Sequence, residues 1–332
     1  MAFGEFLRKY GVLVAFVVLF VTNAVWQPAI FLQPENLRNL LNQNAAVGII
    51  ALGMTLVIIS GGIDLSVGSM LALAAALGIV ALNRVIDGGG SEAQAAVVAS
   101  FVTVGAGTVL GAANGLMVAY GRVAPFVATL VGLVGYRSLC LVLASGGEVR
   151  SASMTVFPEL GRGGVTAPFI AIAGDRPLVI TWAIFLFVLA ALVAGLILGW
   201  TVMGRRSIAV GANETAARYS GINTSRVKMF VYTLLGSFTG LAALTLAARM
   251  NAVTSSRTGQ FYELDAIAAV VIGGTSLRGG MGRVWGTVVG VLLLGMITNM
   301  LVVADISVYW QGAVKGAIIL LAVLIQRGEG ET

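Results

Sequence analysis

Residues 177–204 read PLVITWAIFLFVLAALVAGLILGWTVMG and contain no charged side chain. A helix needs about 20 mainly apolar residues to cross the hydrocarbon of a bilayer, so this stretch predicts a transmembrane helix. Directly after it, residues 204–228 read GRRSIAVGANETAARYSGINTSRVK and hold five basic side chains. Because basic residues concentrate in the cytoplasmic loops of membrane proteins, we expect loop 204–228 to lie in the cytoplasm.

The whole chain has the composition of a membrane protein. It is 58% hydrophobic and 10% charged, with a mean hydropathy of +0.97, whereas about a quarter of the residues in soluble domains are charged. Histidine is absent and Cys140 is the single cysteine, which argues against a metal site and a disulfide framework. The net charge of +6 is better explained by orientation signals than by a nucleic-acid partner. We therefore predict one all-α polytopic membrane domain, residues 1–332, in contact with lipid.

Scoring the apolar stretches predicts ten transmembrane spans. Two of them each carry one costly basic residue, Arg137 in 123–145 and Lys315 in 308–326. The eighth, 251–272, is weakened by three charged residues, Arg257, Glu263 and Asp265. The other seven are 10–34, 39–63, 65–83, 93–121, 177–204, 229–248 and 284–304.

The distribution of basic residues orients these spans. With both termini in the cytoplasm, eleven basic residues lie on the cytoplasmic side and seven on the outer side. The first span lacks an A-x-A cleavage pattern, so it is expected to be retained as a helix.

Two glycine-rich breaks interrupt the spans in similar ways. Residues 58–69 read IISGGIDLSVGS and residues 270–282 read VVIGGTSLRGGMG. Under the predicted topology both face the cytoplasm, as tight turns in which glycine supplies a positive φ or as broken helix ends that line a cavity. Asp64, in the first break, is expected either to cap the following helix or to meet a base, water or solute.

Four polar side chains within or beside the spans are candidates for a translocation pathway. They are Asn44, Asp64, Asn114 and Asn299. Sugar hydroxyls need both donors and acceptors, and amides offer both. Hydrogen bonding between helices is the commoner use of such residues in membranes, so both roles stay open.

Loop 204–228 also carries helix signals. Asn213 is a candidate N-cap, Ala216, Ala217 and Arg218 favour a helix, and Gly221 is a stop signal. These residues predict a short helix on the membrane surface.

Taken together, four motifs resemble the permease of ribose-type ABC sugar importers, within the superfamily of branched-chain amino acid and sugar permeases. The motifs are GGIDLSVGS at 61–69, Asn114–Gly115 followed by APFVATL at 124–130, AA-x-x-x-GI at 216–222, and AIAAVVIGGTSLRGGMGRVWGT at 266–287. They occur in the family's order over nearly the whole chain. The resemblance implies a type II importer architecture in the cell inner membrane that moves a monosaccharide or related polyol by alternating access.

The resemblance also implies partners and a coupling site. The partners are an ABC ATPase subunit that binds ATP and Mg, a periplasmic sugar-binding protein and a second permease copy, identical or related. The short helix would fit a groove on the ATPase, with coupling residues Asn213, Glu214, Ala216, Ala217, Arg218, Gly221 and Ile222.

Several functions compete with this one. No G-x-x-x-x-G-K-[ST] phosphate loop occurs in the sequence, so we expect this chain to bind no cofactor and to rely on another chain for ATP. No nucleophile, base and orienting group can be assembled from the spans, so we do not expect an enzyme. A branched-chain amino acid permease and an ion-coupled secondary transporter are the alternatives. The second is disfavoured because few acids lie inside spans.

Overall fold

The structure is a computed structural model that describes residues 3–172, 176–307, 310–314, 316, 317 and 320. Seven helices in this part of the chain are long and apolar enough to cross a membrane. They are α3 (Pro34–Ile59), α4 (Val67–Asp87), α5 (Glu92–Ala119), α6 (Pro125–Leu143), α8 (Trp182–Trp200), α11 (Thr224–Met250) and α13 (Val284–Val303). The remaining helices with defined bounds are α1 (Phe3–Trp26), α2 (Pro28–Phe31), α7 (Val156–Arg162), α9 (Val202–Ala212), α10 (Glu214–Tyr219) and α12 (Tyr262–Ile272).

The predicted helical, polytopic architecture is confirmed, and the described residues add two small antiparallel sheets that the sequence did not predict. Strand β1 (Glu148–Arg150) pairs with β4 (Ala252–Thr254). Strand β2 (Gly164–Ile172) pairs with β3 (Arg176–Thr181). Both sheets lie outside the seven long helices, in the connections that join their ends.

Seven of the ten predicted spans correspond to these long helices. The first predicted span, 10–34, ends early as α1, because Pro28 begins the separate helix α2 and a proline cannot continue a helix. The predicted span 308–326 falls largely outside the described residues.

The predicted eighth span, 251–272, was wrong as a continuous helix. Asn251 ends α11 in the left-handed conformation, with φ 56°, and β4 and a series of turns follow as far as Phe261. Only α12 is helical, and its 11 residues span about 16 Å at 1.5 Å per residue. That length is about half of the hydrocarbon thickness.

Local signals start several of the long helices. Proline stands at the first turn of α3 and α6, where its missing N–H costs nothing. Ser91 and Gln94 form a reciprocal capping box at α5, in which the Gln94 amide donates to Ser91 Oγ at 3.2 Å. These signals explain why the observed helix starts lie close to the predicted ones.

Glycine allows the two central helices α5 and α11 to touch backbone to backbone. A Cβ atom added to Gly111 of α5 would lie 2.6 Å from Gly236 Cα of α11, and one added to Gly240 would lie 2.8 Å from Val104 Cα. Such close approach is the use that membrane helices make of small residues. Among the seven long helices that the structure describes, α3 is the most deeply buried, with 78% of its most apolar 18 residues inside the protein.

The chain alternates between two membrane faces. We call one the α9–α10 face, because α3, α5 and α8 end there and α6, α11 and α13 start there, on either side of these two short helices. We call the other the sheet face, because it carries α7 and the two sheets.

Candidate functional site

The two glycine-rich breaks meet on the α9–α10 face. The Gly280 amide donates to the Ile59 carbonyl oxygen at 2.8 Å, and a Cβ atom on Gly279 would lie 3.1 Å from Gly61 Cα. Gly61, Gly279 and Gly280 have φ values of 82°, 84° and 74°. These angles confirm glycine turns with positive φ, and the contacts show that residues 59–61 of the first break meet residues 279–280 of the second.

The end of α9 packs directly on these breaks. A Cβ atom on Gly211 would collide with the Ile59 carbonyl oxygen and lie 2.6 Å from the Gly280 amide nitrogen. Loop 204–228 therefore touches both breaks at one residue that has no side chain.

Asp64 and Asn114, predicted separately, lie together in a fully buried polar cluster. Both side chains are 0% exposed. Asn114 Nδ2 donates to Asp64 Oδ2 at 3.0 Å and to Ser66 Oγ at 2.8 Å. Asp64 Oδ1 accepts from the Ser66 amide and from the Ser66 hydroxyl, both at 2.7 Å. The expectation that Asp64 is the N-cap of α4 was wrong, because the cap residue is Ser66 and Asp64 binds the amide of that residue.

Two tyrosines that the sequence analysis missed attach this cluster to neighbouring helices. Tyr136 Oη of α6 lies 2.8 Å from Asn114 Oδ1 and 3.1 Å from the Leu110 carbonyl oxygen. Tyr232 of α11 donates to the Ile63 carbonyl oxygen at 3.0 Å. A tyrosine inside an apolar span is itself a signal, because its hydroxyl needs a partner when it is buried. The first glycine-rich break, 58–69, is thereby tied to α5, α6 and α11.

Asn44 and Asn299 lie elsewhere, where α3 packs on α13. Asn44 Nδ2 donates to the Leu40 carbonyl oxygen at 2.7 Å. The Asn44 side chain also lines a small cavity together with Val47, Asp265, Ala269, Val291, Leu294 and Thr298. Asn299 Nδ2 donates to Asn36 Oδ1 at 2.9 Å. The four predicted pathway residues thus form two separate groups, and contact of any of them with a solute stays a prediction.

Loop 204–228 includes most of α9, all of α10 and the start of α11, although the sequence predicted one short helix. Thr201 caps α9, since its Oγ1 accepts from the Gly204 amide at 3.1 Å. The predicted N-cap of α10 is confirmed, because Asn213 Oδ1 accepts from the Ala216 amide at 2.9 Å. The predicted stop is confirmed by Gly221, which follows the C-cap Ser220 with a φ of 80°.

An apolar cluster and an ion pair hold α10 against its neighbours. Ala217, 5% exposed, packs with Val210 and Val227. Lys228 Nζ lies 2.7 Å from Glu214 Oε2, and Arg218 Nη2 lies 3.3 Å from Glu214 Oε1. Partial burial raises the pKa of the Glu214 carboxyl, but the hydrogen bonds and positive charge of Lys228, with the charge of Arg218, outweigh it and lower this pKa overall.

The outward surface of α10 is formed by Ala216, Arg218 and Tyr219, all exposed. Tyr219 is 89% exposed, which is unusual for an aromatic side chain. Arg205, Arg206 and Arg226 are exposed on the same loop. Ile222 packs against the apolar cluster, so it and Ala217 support the loop from inside, whereas Ala216, Arg218 and Tyr219 are exposed on the outward surface of α10.

On the sheet face, Glu92 gathers the loop that leads into α7. Its Oε2 accepts from Ser153 Oγ at 2.6 Å and from the Thr155 and Val156 amides, both at 3.0 Å. One carboxylate therefore orders a four-residue segment next to the start of α5.

The family described as "branched-chain amino acid transport system / permease component" matches residues 36–323 of this chain. The ribose import permease protein RbsC of Bacillus subtilis (strain 168) is 40% identical over 329 residues, which cover 98% of this chain and 94% of the relative. RbsC of Escherichia coli (strain K12) is 40% identical over 313 residues, covering 94% of this chain and 92% of the relative. The xylose transport system permease protein XylH of Haemophilus influenzae (strain Rd) is 35% identical over 370 aligned positions, covering 96% of each chain. No solved structure gives a significant match.

Proposed function

We propose, from the premise that this chain belongs to the branched-chain amino acid transport system / permease component family, that it is the membrane permease of an ATP-driven sugar importer. The observation that carries the proposal is the near full-length similarity to permeases named for ribose and xylose. The branched-chain amino acid alternative is not favoured, because these relatives are named for sugars. The chain is a multi-pass membrane protein and a transport subunit, not an enzyme.

ATP and Mg would bind to a partner ATPase, and α10 would dock on that partner. The support for this step is the outward surface of α10, in which the exposed Tyr219 stands beside two exposed residues, Ala216 and Arg218. Exposed aromatic and arginine side chains are enriched at protein interfaces. The apolar cluster below α10 would make the helix move as one body with α9.

Movement of α9 would then reach the membrane helices through Gly211. Because this residue packs closely on Ile59 and Gly280, a movement of the loop would displace the two glycine-rich breaks. From the first break, the Asp64 cluster passes the displacement to α5, α6 and α11. A packed contact of this kind transmits strain because protein interiors have low compressibility.

The α9–α10 face would be cytoplasmic and the sheet face would be external. The support is the basic loop 204–228, since positive residues mark the cytoplasmic side. The sheet face would receive the sugar-binding protein, on a surface that Glu92 keeps ordered. A second permease copy would complete the translocation route, and the assembly would lie in the cell inner membrane with both termini in the cytoplasm.

The test is co-purification of an ATPase subunit with the detergent-solubilised protein from its native membrane. A double substitution of Ala216→Arg and Tyr219→Ala changes only exposed side chains and is expected to abolish retention of the ATPase. Met154→Ala, at an exposed residue of the sheet face, is the matched control and should retain it. If the wild type retains no ATPase under conditions that preserve a known importer, a self-contained ion-coupled transporter is favoured instead.

A second experiment tests the energy source. In proteoliposomes that contain the permease and a sugar-binding protein but no ATPase, neither ribose nor xylose should accumulate against a gradient. Uphill uptake by this chain without the ATPase would refute the proposal.

A further inference from the structure

Residues 251–261, which we call the re-entrant segment, enter the membrane from the sheet face without forming a helix. They begin at the sheet of β1 and β4 and end at Phe261, where α12 starts. From Gly273, which packs against Gly286 in the first turn of α13 on the α9–α10 face, the 11 residues of α12 rise about 16 Å. The tip of the segment is therefore near the middle of a bilayer about 30 Å thick.

A second set of contacts gives the same depth. Gly259 touches Gly68, since a Cβ atom on either would collide with the carbonyl oxygen of the other. Gly68 lies one helical step above Val67 at the start of α4, and Ser66 packs on Gly132, seven residues into α6. At 1.5 Å per residue, Gly259 is about 13 Å from the α9–α10 end of α6.

The backbone of the segment is firmly held. Arg137 Nη1 donates to the Ser255 and Thr258 carbonyl oxygens, both at 2.8 Å. Ser255 Oγ donates to the Gly147 carbonyl oxygen at 2.8 Å. Non-helical backbone at membrane depth survives only where protein or water satisfies its polar groups, and Arg137 supplies part of that requirement. These hydrogen bonds explain how Arg137, the basic residue within the predicted span 123–145, is accommodated there.

Four residues of the segment are nevertheless exposed on the surface of the chain. Ser256, Arg257, Gln260 and Phe261 are all exposed. Phe261 is 59% exposed and has a φ of 65°, which is a genuine outlier for a bulky residue. Such strain persists only where the surroundings enforce it, and it clusters at functional sites. Lipid is a poor neighbour for an amide and a guanidinium at this depth.

We propose that Arg257, Gln260 and Phe261 line a water-filled route and contact a neutral polyhydroxylated solute as it crosses the membrane. The Gln260 amide can both donate to and accept from hydroxyl groups, and the Arg257 guanidinium can donate to them. The exposed ring of Phe261 offers an apolar surface to the C–H face of a sugar. The proposal rests on the proposed sugar-import function, and it places solute contact on the re-entrant segment, at residues that were not among the predicted pathway candidates.

Cysteine accessibility tests the proposal. Cys140, which is buried, is first replaced by alanine, and Gln260→Cys is then introduced into the full importer in native membranes. A charged, membrane-impermeant thiol reagent should label Gln260→Cys. Leu192→Cys, at an exposed apolar residue in the middle of α8, should stay unlabelled, and Met154→Cys on the sheet face should be labelled rapidly. Ser256→Cys is a second probe of the segment if Gln260→Cys does not assemble.

The functional readout is uptake of radiolabelled ribose before and after labelling. We expect modification of Gln260→Cys to reduce uptake at least fivefold, and saturating ribose during turnover to slow the labelling. Two results would overturn the proposal. One is no labelling of Gln260→Cys, as for Leu192→Cys; disulfide cross-linking to a second copy would then indicate a dry interface. The other is labelling without loss of uptake. ATPase retention, measured in the same membranes, separates these results from failure of the proposed function, because retention together with uptake supports the importer whichever result Gln260→Cys gives.

Discussion

Replacing Asp64 should lower the free energy of unfolding, by an amount that can be estimated from the hydrogen bonds that its carboxylate accepts. In Asp64→Ala, three buried donors lose their acceptor: the Ser66 amide, the Ser66 hydroxyl and one N–H of Asn114. Each buried donor left without a partner costs about 1 kcal/mol or more, so the loss is about 3 kcal/mol. At about 2 °C per kcal/mol, the unfolding midpoint should fall by about 6 °C. Asp64→Asn keeps a side-chain carbonyl that can accept from Ser66, but it sets the new NH2 group against the NH2 group of Asn114. Its unfolding midpoint should therefore lie between those of Asp64→Ala and the wild type.

Cys140 supplies the assay for this series. It is the single cysteine of the chain and is fully buried, so a thiol-reactive fluorophore reports unfolding of the detergent-solubilised protein on heating. The double variant Asp64→Ala with Asn114→Leu should be less destabilised than the sum of the two single variants, because the two side chains share a hydrogen bond. Met154→Ala is the control. An Asp64→Ala midpoint equal to that of the wild type, or strict additivity in the double variant, would refute a cooperative buried cluster.

Three further predictions concern the two membrane faces. Gly211→Ala should reduce sugar-stimulated ATP hydrolysis by the assembled importer at least tenfold, while the ATPase still co-purifies. The reason is that the new Cβ would displace the breaks at Ile59 and Gly280. Unchanged stimulation of ATP hydrolysis would show that this contact does not couple the loop to the breaks. The pKa of Glu214 is lowered in the folded state, so its stabilisation is present above the unfolded value of about 4.3 and is lost as pH falls through the folded value. Glu214→Gln should therefore lower the unfolding midpoint at pH 7 and progressively less as the solution is acidified toward and below pH 4, and a difference that does not depend on pH would argue against the ion pair. Glu92→Gln should make residues 153–156 more sensitive to added protease, because a neutral amide is a weaker acceptor than a carboxylate; an unchanged cleavage rate would show that this segment is ordered by other contacts.

Many residues of the site could be predicted from their neighbours in the sequence, but the contacts that bring them together could not. The capping residue Asn213 and the stop at Gly221 follow from residue types within one helical turn, so the sequence predicted α10 well. Asp64 was singled out because a carboxylate beside an apolar span must find a partner, but that partner is Asn114, 50 positions away. Ala217 was assigned to the docking surface, yet it is buried below it, because the side on which α9 and α11 pack cannot be read from an alternation of small residues.

The sequence by itself determined that the chain crosses a membrane, where seven of its helices lie, and the family to which it belongs. Hydrophobicity summed over about 20 residues is a local quantity, and partition into lipid depends on little else. The non-helical conformation of residues 251–261 was determined only by tertiary structure. This segment is held by β1, by Gly68 and by Arg137, contacts with residues more than 100 positions away in the chain. Because such contacts satisfy a non-helical backbone inside the bilayer, they allowed an apparent span to become a short helix preceded by a polar, strained turn.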